Sequence, residues 1–464
     1  MQKYGFNNLM MSLVPSRGSV RLLILGIIII ASAVRIWAYG DPKLSIAGND
    51  TLSYVESSQV PLFSSEMMMG RRMLSTNLLY KAFEPMDGYK ILVNGSIETS
   101  QRKIQPGFGN IVIFQILMSI AGWGLLAFMV SEYIRNPTMK ILAAITITTF
   151  GFTPQLADWD SILMSESLTY SLFALQLAFL IYFVFSIFND PDFNSTFYFS
   201  IWSVIYFFWT FVRDSNLYVS LITIGLVGML IFSSGFKKNK LIYKILALLS
   251  IIFVLGFYTS TNSTRSLLTF VNIYNDDLLR APARVETLTK LGMPEPHTDA
   301  YNVWFEENAV KTLVKFMLIH PGYPVTKLIR DFPHAFTEIK QTYFNVPGQD
   351  PVRGALMSVG ELFHPEHASV SLLCLFLLTG LIIIAQKDTH GTSRPWAWLG
   401  SWLFLTASST IVLVILGDTW GLNRHALLST MIFRLFMWIF TIIVIDIAIE
   451  QNTKDAAQIT YVPT

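Results

Sequence analysis

A single cysteine stands in 464 residues, and it lies inside an apolar run at Cys374. No intrachain disulfide can form, so any long loop must be held by packing or by contact with a membrane. Charge is scarce too: 14% of residues are charged, and 33 basic against 31 acidic side chains leave a net charge of +2. With no basic excess to draw a polyanion, nucleic acid is not an expected partner. GxGxxG, P-loop, GxSxG and HExxH patterns are missing, and with them the usual signatures of nucleotide-dependent, serine-hydrolase and zinc chemistry. His297, His320, His334, His364 and His367 share no ligand spacing, so no metal site is assigned and no cofactor is expected, although a divalent cation is left open.

What the chain has in excess is apolar surface. With 52% hydrophobic residues and a mean hydropathy of +0.49, it reads as a polytopic, all-α membrane protein. A spanning helix needs roughly 20 apolar residues. About ten candidate runs occur, near 21–39, 108–131, 140–157, 162–188, 197–212, 216–235, 241–260, 369–386, 396–416 and 426–449. The first is expected to be retained as a helix, because no small-residue cleavage site follows it and Arg35 and Trp37 fit interfacial anchors. Lys3, Arg17 and Arg21, then Arg135 and Lys140, then Lys237, Lys238 and Lys240, then Lys387 and Arg394 fall on one side of this topology. The positive-inside rule makes that side cytoplasmic, with both termini inside and two long segments, 40–107 and 261–368, outside.

That topology puts the unexpected polar residues on the outer side. Asp50 and Tyr54 follow the first run in "AGNDTLSY"; Asp158, Asp160 and Glu166 belong to "ADWDSILMSESL"; Arg213 and Asp214 to "FVRDSNLY"; Asp418, Arg424 and His425 to "GDTWGLNRHALL". A lone charge at a helix end is commonly a solvated cap or headgroup anchor. Glu166 and Arg434 lie within helices, where an ionisable group must pair, snorkel or line a polar cavity; Arg434 is expected to pair with a carboxylate. Residues 61–85 mix Met67, Leu74, Leu78 and Leu79 with Arg71, Arg72 and Lys81 in a helical rhythm, so this segment should lie along the interface and roof Asp50. The later segment is expected to be helical before Pro321 and again to about Phe332, forming a small cap rather than a folded soluble domain.

The acid and tyrosine of "GNDTLSY", the acidic turn entering "ESL", the turn at Arg213, the "HP" helix pair and the terminal Arg424-His425 resemble the GT-C superfamily, multi-span glycosyltransferases that take sugars from polyprenyl-phosphate carriers, such as protein O-mannosyltransferases and aminoarabinose transferases. Where that family often carries an adjacent acidic pair, this chain has a lone acid, Asp50, between Asn49 and Thr51. The resemblance implies a GT-C-like fold in a plasma membrane of bacterial type, with an extracytoplasmic site and an acceptor that is a glycan, a lipid or a protein. Transfer requires a base for the acceptor hydroxyl and a cation for the departing phosphate. Asp50 is the expected base, implying inversion at the sugar carbon. Arg424 and Arg213 are the expected phosphate ligands, through paired donors. Asp158, Asp160 and Glu166 would position sugar hydroxyls or orient the arginines, with His425 and Tyr54 adding contacts. Two other classes compete: a transporter or lipid flippase, which should place its charges near the midplane, and a non-catalytic assembly protein, which needs no acid–base set.

Overall fold

The computed structural model describes residues 17–39, 41–92, 102–263, 265–337, 351–388, 391 and 393–459. Lys3 and parts of both long segments, 93–101 and 338–350, lie outside the described residues. The chain is almost entirely helical. It opens with α1 (Arg17–Tyr39), then β1 (Leu44–Ser45), three short helices α2 (Asn49–Ser58), α3 (Ser65–Met69) and α4 (Leu74–Ala82), and β2 (Lys103–Ile104). Next come α5 (Gly109–Tyr133), α6 (Pro137–Phe152), α7 (Pro154–Ala157), a 3-10 turn at Asp158–Ser161, α8 (Glu166–Asn189), α9 (Thr196–Thr210), α10 (Asp214–Ile231) and α11 (Lys240–Thr261). The cap holds α12 (Arg265–Ile273), a π turn at Tyr274–Leu278, α13 (Pro282–Lys290), α14 (Asp299–Ile319), α15 (Gly322–Ala335) and α16 (Pro351–Phe363). The chain then ends with α17 (Ser369–Lys387), α18 (Arg394–Gly417), α19 (Leu422–His425) and α20 (Leu427–Ile459).

Each of the ten apolar runs coincides with a helix, and among the described residues eight of these helices are long and apolar enough to cross a membrane. The two others, α6 at 16 residues and α9 at 15, are shorter. The expected third run, 140–157, is cut at Phe152. Pro154 forces Thr153 into an extended conformation (φ −76°, ψ 155°) and starts a new helical turn. The fourth run begins at Glu166 rather than 162, because Ile162 forms a parallel bridge with Ile46.

α8 is the buried centre of the bundle and packs along α5. Glycine makes that approach possible: a Cβ on Gly122 would sit 2.6 Å from the Ser171 carbonyl oxygen, and one on Gly151 of α6 would strike Trp123. Arg21 pairs with Glu132, and Arg135 with Glu450, at one end of the bundle, while the backbone N–H groups of Arg135 and Asn136 donate to Asp446 there. At the other end the two long segments and three tight turns converge. The cap has a small apolar core of its own, built on Tyr274, Leu278, Leu288, Tyr301, Phe305 and Phe316, which the sequence patterning does not announce. Arg434, on α20, meets no carboxylate among the described residues: its Nε donates to the Pro365 carbonyl (2.7 Å) and an Nη to that of Phe336 (3.0 Å). It therefore ties the end of α15 and the residues just after α16 to α20.

Candidate functional site

Three local features bring the first long segment onto the start of α8. The Ile46 N–H donates to the Ser161 carbonyl (2.9 Å), the Leu163 N–H donates back to Ile46 (3.0 Å), and β1 pairs antiparallel with β2. Thr51 completes the clamp: its hydroxyl accepts from the Gly48 N–H (2.9 Å) and donates to the Leu163 carbonyl (3.2 Å). Helix α2 then begins one residue before Asp50, so the Asp50 carboxylate sits in its first turn, where the helix dipole favours negative charge.

Around Asp50 the structure assembles a charge network from five chain segments. Arg72 donates an Nη to one carboxylate oxygen (2.8 Å) and Arg424 an Nη to the other (3.0 Å). Arg424 Nε also approaches Glu166 (3.6 Å), whose carboxylate lies 2.5 Å from an Nη of Arg213. Arg213 is bonded in turn to the Ser165 hydroxyl (3.2 Å). Arg72 is held by the Ser53 hydroxyl (2.6 Å) and lies over the Tyr54 ring, with 4.2 Å from guanidinium carbon to ring centroid. Tyr54 stacks on Tyr80, so the ring that supports Arg72 is itself fixed. Burial works to raise the Asp50 pKa, but the two guanidinium groups outweigh it and hold the carboxyl below its ordinary value of 3.8. Glu166 is 1% exposed, whereas the side chains of Asp50 and Arg424 are about a third exposed, so the network has a buried floor and an open face. Three guanidinium groups face two carboxylates, which leaves it with one net positive charge.

Of the residues expected from the sequence, Asp50, Tyr54, Glu166, Arg213 and Arg424 are therefore brought together. Asp158 and Asp160 are not. Both are almost fully buried on another side of the α8 entrance, Asp158 bonded through both oxygens to Arg353 (2.6 Å each) and Asp160 bonded to Arg35 and to the Ser167 hydroxyl. Their partners are structural arginines from α1 and α16, because the 3-10 turn after Pro154 points them inward. His425 turns away as well: its Nδ1 lies 2.7 Å from Asp418, which also accepts from Asn272 of the cap (3.1 Å). Lys327 donates to the Asp418 carbonyl oxygen (3.3 Å), so this pair anchors the cap to the last turn.

Arg72 is the functional candidate that the sequence patterning treated only as part of an interfacial segment. A signal was present, since an arginine doublet in an apolar helical rhythm leaves one guanidinium facing inward. Arg265 was missed too. It binds Asp214 through two bonds (2.9 and 3.1 Å) and the Met68 carbonyl (3.2 Å), joining the cap to the first long segment beside the network. No group of three or more His, Cys, Asp or Glu converges among the described residues.

No protein-family model matches the chain, and no curated protein matches it by sequence. Among solved structures it is similar to the archaeal oligosaccharyltransferase AglB from Archaeoglobus fulgidus, determined in complex with an inhibitory peptide and a dolichol-phosphate. Identity is 10% and the TM-score 0.40, over 95% of this chain and 52% of that one, so the chain spans about half the length of that protein.

Proposed function

We propose that this membrane protein is a glycosyltransferase of the GT-C type that moves a sugar from a polyprenyl-phosphate carrier to a hydroxyl acceptor, and that the Asp50 network is its active site. The observation that carries the reading is the Asp50 carboxylate held between Arg72 and Arg424 at the end of the bundle where the outer loops meet. A carboxylate in that position is an anion mimic. The phosphate of an incoming donor offers the same guanidinium groups a better bidentate acceptor, and by taking them it releases Asp50. Asp50, freed of its cations, regains basicity next to the departing bond.

In the reaction, the Asp50 carboxylate accepts the proton of the acceptor hydroxyl while that oxygen attacks the anomeric carbon. The bond from that carbon to the phosphate oxygen breaks, and its electron pair leaves on the polyprenyl phosphate, where Arg424 and Arg72 balance the growing charge. A single displacement inverts the sugar carbon. Glu166 keeps Arg213 and Arg424 aligned from beneath. The charges lie at one end of the bundle rather than at its middle, which favours this reading over a transporter. The same reading puts the network at the extracytoplasmic face of a plasma membrane, with both termini cytoplasmic; the acceptor is a glycan, a lipid or a protein.

The test is Asp50→Asn. It keeps the size of the side chain and removes the base, so transfer in purified membranes should fall by about 10²–10⁴ while donor binding persists. Asp50→Glu should retain little activity, since an added methylene displaces the carboxylate. A folded, well-expressed Asp50→Asn protein that transfers sugar at the wild-type rate would remove Asp50 as the base.

A further inference from the structure

A second polar site lies away from the Asp50 network and shares no residue with it. A cavity of about 170 Å³ opens between the end of α1 and the start of α5, with Arg35, Arg102 and Ser161 in its wall. Its remaining lining includes Ile36, Ile113 and Leu117, which are among the exposed apolar side chains of those two helices. Arg35 is 2% exposed and gives one Nη to Asp160; its Nε and other Nη have no hydrogen-bond partner among the described residues. Arg102 donates to the Tyr39 carbonyl (3.1 Å) and to the Ser161 hydroxyl (3.1 Å), and its Nε is also without a partner there.

Unspent guanidinium donors at the end of a spanning helix are costly. The surrounding charged set is the buried Arg35 and Arg353 and the half-buried Arg102 against the buried Asp158 and Asp160, three cations against two carboxylates. A small, largely apolar cavity with spare guanidinium donors in its wall, open on the outside of two spanning helices, matches one kind of molecule: an amphiphile with an anionic oxygen-rich head and hydrocarbon chains.

We propose that this cavity binds the phosphate headgroup of an anionic membrane lipid, with Arg35 and Arg102 on the phosphate oxygens and the acyl chains lying on Ile36, Ile113 and Leu117. Because Ala157 and Ser161, which flank the buried acids of the 3-10 turn, line the cavity and α8 begins five residues after Ser161, the lipid steadies the segment that carries Glu166. It is a resident lipid, separate from the sugar donor.

The experiment uses the purified full-length chain in detergent and spin-labelled lipids read by electron paramagnetic resonance. Phosphatidylglycerol should show an immobilised fraction that diacylglycerol with the same chains does not, and inorganic phosphate should compete poorly. Arg102→Gln removes charged donors while leaving the buried Arg35–Asp160 pair intact, and should weaken phosphatidylglycerol binding by about ten-fold, the worth of one charge-assisted hydrogen bond. Leu117→Trp leaves every charge in place but crowds the mouth, and should weaken it comparably. Equal immobilisation of the two lipids, or wild-type binding by both variants, overturns the proposal. Displacement of the lipid by inorganic phosphate at equal concentration overturns the lipid assignment in favour of a free anion.

Discussion

Replacing Arg424 tests the shared-anion idea most directly, because this residue touches both acids of the network. Its guanidinium reaches Asp50 at 3.0 Å and Glu166 at 3.6 Å, and its side chain is about a third exposed. A charge-assisted hydrogen bond is worth roughly 1.5–3 kcal/mol, and partial exposure places this one toward the lower end. Arg424→Ala should therefore cost about 2 kcal/mol of donor binding, or about 30-fold in Kd. Arg424→Lys keeps the charge and one donor direction but loses the planar fork, so about 1 kcal/mol, or roughly five-fold, should be lost. Titration of a polyprenyl phosphate into the detergent-solubilised protein, followed calorimetrically or by tryptophan fluorescence, reads both values. Thermal unfolding of the same samples separates lost affinity from lost fold. If the Ala variant is folded and binds polyprenyl phosphate within about two-fold of wild type, the guanidinium is not the phosphate ligand and the exchange of Asp50 for phosphate does not occur.

Other consequences follow from the same geometry. Asp50 is depressed below 3.8 in the resting network and should rise when a phosphate takes its arginines, so the acid limb of kcat should lie at higher pH than the acid limb of kcat/KM; coincident limbs would show that Asp50 keeps its partners during turnover. Asp158→Asn leaves Arg353 facing a neutral amide in a buried site and should lower the melting temperature, at a cost of about 3–5 kcal/mol, without a selective effect on donor KM. Arg434→Met should loosen the α16 segment, read as faster proteolysis of the cap relative to the helical bundle, since it removes donors from the Pro365 and Phe336 carbonyls. Gly151→Ala should destabilise the protein through collision with Trp123, and a melting temperature equal to wild type would show that the two helices have room to separate.

How much of this could be read from the sequence depended on the range of the interaction. Hydrophobic runs are local, and all ten appear as helices; the errors sit where a tertiary contact or a proline intervenes, as at Thr153 before Pro154 and at Ile162 paired with Ile46. Asp50, Glu166, Arg213 and Arg424 were legible as a set because topology alone puts their turns at one end. Which acid meets which arginine was not. Asp158 and Asp160 have the same local signature as Glu166, an acid near a helix start, and only the inward turn of the 3-10 segment gives them to Arg353 and Arg35 instead. Arg72 was hidden for the converse reason: its neighbours on the chain look interfacial, and its selection depends on Tyr54 and Ser53, 18 and 19 residues earlier.

The pairing pattern also bears on how three guanidinium groups are held close together. Three guanidinium groups gathered at one end of a helical bundle repel one another, and in a low-dielectric setting they would spread apart without counter-charge. Glu166 supplies a permanent counter-charge from the buried floor, while Asp50 supplies one from a short helix at the open face. The division matters under the proposed reading, because only the exposed acid can be displaced by a phosphate without burying an uncompensated charge. Exchanging the roles would fail: releasing Glu166 would leave an uncompensated carboxylate only 1% exposed, whereas Asp50, about a third exposed, can be released toward solvent. Under that reading, a base that is quiet until its cations are claimed by the donor would be protected from acting before both reactants are in place.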